Sequence, residues 1–69
     1  MKHYVLIHNL IMMVHANITN SAERFTAADL CAVRHSLNDM VTRCYVLDQL
    51  TPYQKEKLFK MIDAFITPI

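Results

Sequence analysis

From Leu30 to Leu47 the apolar positions Leu30, Val33, Leu37, Met40, Cys44 and Leu47 recur at steps of three, four, three, four and three. That alternation is the heptad signature of a helix with one apolar seam, widened here by Val41. The opposite side carries Arg34, His35, Asn38, Asp39, Thr42, Arg43, Asp48 and Gln49. The start of the segment is marked by Thr26 as N-cap, with Asp29 three residues later to close a capping box. Phe25 before the cap and Leu30 at the fourth helical position have the spacing of a hydrophobic staple. The pattern predicts one long helix over about 27–50. Asp39 stands four residues before Arg43, the favourable order for a helix ion pair.

Two shorter segments flank it. Tyr4, Ile7, Leu10, Ile11 and Val14 have helical spacing and predict a helix over about 3–16. Val5, Leu6, Met12 and Met13 fill most of its remaining circumference, and a helix apolar nearly all round is expected to be buried. The run Tyr4–Ile7 also fits a strand, since short apolar runs suit either element. Residues 17–25 read as a loop, polar over Asn17–Arg24. A last helix is expected over about 52–66, with Thr51 as cap, Pro52 at the first position and Gln54 closing a second capping box. Leu58, Ile62, Phe65 and Ile66, helped by Phe59, form its apolar stripe, and Glu56 and Lys60 have ion-pair spacing on the wet side. Thr67-Pro68-Ile69 closes the chain. The fold class expected is all-α, about three helices with a long central one, in a single domain over 1–69.

Composition sharpens this picture in two ways. The chain contains no glycine, the usual residue of tight hairpin turns, so a sheet of hairpins is disfavoured. It is 54% hydrophobic and 19% charged over only 69 residues. So small a chain hides that much apolar surface only with difficulty, and soluble monomers rarely leave large apolar patches bare. Self-association as a homodimeric helical bundle is therefore expected, with Leu30, Val33, Leu37, Met40, Val41, Cys44 and Leu47 as the core or dimer seam.

The formal charge is +1, well short of the basic excess by which DNA-binding domains neutralise phosphates. A small DNA-binding transcriptional regulator, with a helix-turn-helix within 26–50, is the alternative. That template places Cys31 at its small buried position and starts a second helix at Ser36, with Asp39 as box partner. It also puts Arg34 at a core position and His35 where glycine is preferred, and the seam continues through the supposed turn without changing phase.

No catalytic, cofactor or metal site is expected. Cys31 and His35 are four apart, a spacing that chelates zinc, but strong zinc signatures use two such pairs. His3, His8 and His15 could supply further ligands, and His8 and His15 share a face seven residues apart. A cysteine nucleophile needs a base and an orienting group around a pocket, and no phosphate loop, serine elbow or close carboxylate pair appears. Cys31 and Cys44 lie thirteen positions apart on one helix, roughly 20 Å, too far for a disulfide. Two isolated cysteines fit a reducing, cytoplasmic setting. His8 and Asn9 interrupt the apolar run of the first segment, which argues against a signal peptide or a membrane span. The sequon Asn17-Ile18-Thr19 has no secretory context to support it.

The placing of Phe25-Thr26, Asp29-Leu30 and Pro52 resembles the layout of the small enterobacterial Hha/YmoA nucleoid modulators, over about half of the chain. The shared residues are helix-capping residues, and the resemblance assigns no functional residue here. The function expected is a non-enzymatic protein–protein interaction module, a bacterial-type regulator or inhibitor that docks as a homodimer on a larger protein. Arg34, His35, Asn38 and Arg43 on the second helix, with Lys57 and Lys60 on the third, are the candidate partner-binding surface.

Overall fold

The computed structural model describes residues 2–20 and 25–66. These form three α-helices: α1 (Lys2–Asn20), α2 (Ala27–Val46) and α3 (Pro52–Phe65). The all-α expectation holds, and the strand reading of Tyr4–Ile7 falls because those residues lie inside α1.

α1 runs four residues past its expected end at Ala16, to Asn20. The reason is Ile18, which lies seven residues beyond the fully buried Ile11 and packs against the core. Extending the helix lays that side chain on the same face, so the polar residues around it become helical rather than loop. The rest of the expected loop, residues 21–24, lies outside the described residues, as does the expected chain end at 67–69.

Both capping boxes form. The Thr26 backbone N–H donates to Asp29 Oδ2 at 3.0 Å, and Asp29 N–H donates to Thr26 Oγ1 at 3.1 Å. Thr51 and Gln54 repeat the exchange at 3.0 and 3.1 Å, with Pro52 in the first turn of α3. Each box satisfies two helix-end donors that would otherwise lack partners.

α2 stops at Val46, four residues short of its expected end. Asp48 has φ 59°, a left-handed conformation that glycine usually supplies. Asp48 N–H donates to Tyr45 O at 3.1 Å and Gln49 N–H donates to Cys44 O at 2.8 Å. This paired 5→2 and 6→1 pattern is a Schellman motif, and a short polar side chain such as Asp tolerates the left-handed region better than most. The chain turns there, buries Leu50 beneath the turn and caps α3 with Thr51. α2, at 20 residues, is thus one residue longer than α1, at 19, and six longer than α3, at 14.

The core consists of Ile7 and Ile11 from α1, Leu37 and Val41 from α2, Leu50, and Leu58, Ile62 and Ile66 from α3. α3 packs against both other helices, while α1 and α2 meet least. The expected α3 stripe is in place, with Leu58, Ile62 and Ile66 buried and Phe59 and Phe65 half-buried against the core.

Candidate functional site: the apolar and charged surfaces

The residues expected to form a free seam on α2 divide. Leu37 and Val41 are buried against α1 and α3, and Val33 and Cys44 pack on that same cluster. Leu30 is buried as well. Met40 and Leu47 fall outside the stripe, and Leu47 is 66% exposed. The cause is helix twist. A strict heptad drifts by about 20° per repeat on a straight helix, so a seam anchored at Leu30 and Leu37 passes to Val41 rather than Met40. The seam is thus largely covered by the chain's own helices.

The uncovered apolar surface lies elsewhere. On α1, Val5, Leu6, Met12 and Met13 are exposed, Leu6 and Met13 at 59% and 62%. The expectation that a helix apolar all round would be buried all round is therefore corrected. In a three-helix bundle each helix has two neighbours at most, and α1 turns only the face of Ile7 and Ile11 to them. No Asp, Glu, Lys or Arg occurs anywhere from His3 to Asn20. A second set of bare apolar side chains, Val46, Leu47 and Tyr53, lies at the α2–α3 turn.

The charged surface on α2 and α3 is arranged differently from the expected row of free groups. Arg34 Nη2 pairs with Asp63 Oδ1 and ties α2 to α3. Arg43 Nε pairs with Asp39 Oδ2 at 2.9 Å, the expected pair. Glu56 pairs with its neighbour Lys55 at 3.7 Å, where the spacing had suggested Lys60. Lys55 Nζ also lies 4.3 Å from the centre of the Tyr45 ring, a cation–π contact across the turn. Lys57 approaches the Tyr53 ring at 5.9 Å. Asn38 is half-buried and its carbonyl accepts from Thr42 Oγ1 at 2.9 Å, while His35 and Lys60 are exposed. Of the six candidates, Arg34 and Arg43 are engaged in ion pairs and Lys57 lies by the Tyr53 ring.

The stretch proposed for a helix-turn-helix is one continuous helix over Ala27–Val46, so no turn separates two helices at Ser36. Cys31 and His35 both sit exposed on α2, and among the described residues no three His, Cys, Asp or Glu side chains gather as a metal site. Cys31 and Cys44 are free thiols. His15 has a role that spacing did not reveal. Its Nδ1 lies 3.2 Å from Phe65 O and its ring 4.6 Å from the Phe65 ring. It thus joins α1 to one of the terminal carbonyls of α3, which the helix itself leaves without a donor. Fifty residues of intervening chain separate the two, which is why local spacing could not show it. No helix among the described residues is long and apolar enough to cross a membrane.

In comparisons with known proteins, no family model, no curated protein and no solved structure matches the chain.

Proposed function

We propose that this chain is a non-enzymatic protein–protein interaction module, a regulator or inhibitor that works as a homodimer docked on a larger protein. One observation carries the reading: large apolar side chains are left bare on two separate parts of a small bundle whose interior is already filled. Soluble chains keep such patches where another surface covers them. The α1 patch suits self-association. The turn patch suits the larger partner, because its exposed Tyr53 has Lys57 5.9 Å from its ring, an apolar group with a charge at its edge.

DNA binding is the less favoured reading. Arg34 and Arg43 are neutralised by Asp63 and Asp39, and cations held by carboxylates have less to offer phosphates.

The test is a tagged pull-down from bacterial lysate, with and without nuclease, run beside the Tyr53→Ala and Leu47→Glu variants. Both sites are exposed, so neither change should disturb the fold. A protein retained through nuclease by the parent chain and lost by both variants supports the reading. DNA-associated proteins that vanish with nuclease overturn it.

A further inference from the structure

We infer that the outer face of α1 is the contact between two copies of this chain, packed antiparallel about a two-fold axis beside Asn9. This rests on the homodimer reading above and places its interface on α1 instead of α2.

Helical geometry defines the face. At 3.6 residues per turn, Asn9 points opposite the buried direction set by Ile7, Ile11 and Ile18. Val5 and Met12 lie to one side of Asn9, and Leu6 and Met13 to the other. All five are exposed. A two-fold axis that sets Asn9 against its own copy reverses the helix direction while keeping each flank on its own side. Val5 then stands level with Met12 of the second copy, and Leu6 with Met13 of the second copy. Every exposed large apolar residue of α1 thereby finds an apolar counterpart. The central polar side chain meets an amide, which can both donate to it and accept from it. A register that sets Asn9 against Val5, Leu6, Met12 or Met13 instead leaves its amide unmatched. A single Asn in an apolar helix interface is a known device for fixing register.

Charge selects the occupant. A foreign protein surface normally brings charged groups, and an α1 face without Asp, Glu, Lys or Arg offers them no partner, so their burial would cost free energy. A second copy brings the same uncharged face and buries no charge. A lipid surface is less suitable, because helices that lie on membranes carry Lys and Arg along the face turned to water. In α1 the other face is packed on the core, and the helix has one Lys and no Arg.

Area is sufficient for a modest complex. α1 is about 28 Å long. Its bare half presents on the order of 500 Å², so two copies would bury about 1,000 Å² in total, near the lower bound for a specific interface. The dimer should therefore depend on concentration. Methionine side chains, being unbranched and polarizable, fill the irregular gaps such a crossing leaves.

The experiment is sedimentation equilibrium of the full chain over micromolar to millimolar concentrations, with circular dichroism of each variant. Leu6→Glu and Met13→Glu should remain helical and sediment as monomers, because both side chains are already in water in the single chain. Leu47→Glu, an equally exposed change at the turn, should leave the dimer intact. Asn9→Cys in a Cys31→Ser, Cys44→Ala background should oxidise to a disulfide-linked dimer. If the parent chain dimerises but Leu6→Glu and Met13→Glu still do, the α1 face is wrong while the homodimer reading survives. If the parent chain is monomeric throughout, both fail. Flotation with phosphatidylcholine–phosphatidylglycerol vesicles completes the test: a chain monomeric in solution that binds vesicles, and loses this with Leu6→Glu, would reassign the face to lipid.

Discussion

α1 and the α2–α3 hairpin solve the same problem by different means. The hairpin carries its instructions locally. Each of its helices starts in a Thr-based capping box, α2 ends in a Schellman turn, and ion pairs decorate its wet side. α1 has no acidic residue in its first turn, no basic residue in its last, and apolar side chains on nearly every face. Its helicity depends on what it packs against, since most helical stability in proteins comes from tertiary burial of a face. One face is covered by the chain itself, through Ile7, Ile11 and Ile18. The other leaves Val5, Leu6, Met12 and Met13 exposed. The hairpin's helix ends are thus closed by local signals, whereas α1 rests on burial of one face only.

The comparison can be broken most severely at its shared core. Leu37→Asp places a charge where α1, α2 and α3 meet, at a cost of several kcal/mol. Chains of this size have roughly 3–10 kcal/mol of stability in all. The expected result is loss of the cooperative thermal transition at every protein concentration. An unfolding that raising the concentration rescues would instead put Leu37 in a dimer seam.

A matched pair of truncations on α1 then separates its two faces. Ile11→Ala should destabilise by about 2–5 kcal/mol by leaving a cavity under the helix. Met13→Ala should leave the dilute chain within about 0.5 kcal/mol of the parent, as an exposed position. Urea unfolding of both variants at low concentration measures the difference. Equal losses would mean that both faces of α1 are packed within one chain.

Smaller effects sharpen the hairpin side. Thr26→Ala and Thr51→Ala should each cost about 1 kcal/mol by leaving helix-end donors without partners. The two caps serve different helices, so the double variant should lose about the sum. Asp48→Gly should move the other way and stabilise by about 0.5–1 kcal/mol, since glycine adopts the left-handed turn without the Cβ penalty. A loss of stability in that variant would show that the Asp48 side chain contributes more than its conformation.

Much of the hairpin was legible in the sequence because its signals are short in range. Thr26 and Asp29, Thr51 and Gln54, and Asp39 with Arg43 all act within four residues, and all are found as expected. The end of α2 was placed too late because Pro52 marks where helix must stop, while Asp48, in the left-handed conformation, stops it earlier. Met40 and Leu47 stay outside the stripe that the chain's own helices cover, because strict sevens describe a supercoiled helix and drift on a straight one. α1 was misread at both scales. Ile18 extends it through residues that look like loop, and the exposure of Val5, Leu6, Met12 and Met13 follows from bundle geometry rather than composition. Arg34 with Asp63, and His15 with Phe65 O, join residues distant in sequence and emerge only from the fold.

The most direct test of the half-covered α1 is hydroxyl-radical footprinting of the parent chain at rising concentration, read residue by residue by mass spectrometry. Labelling of Leu6, Met12 and Met13 should fall as concentration rises, while Tyr53 and Leu47 at the turn stay reactive throughout. Labelling of α1 that does not change with concentration, or protection that appears at the turn instead, would contradict the account.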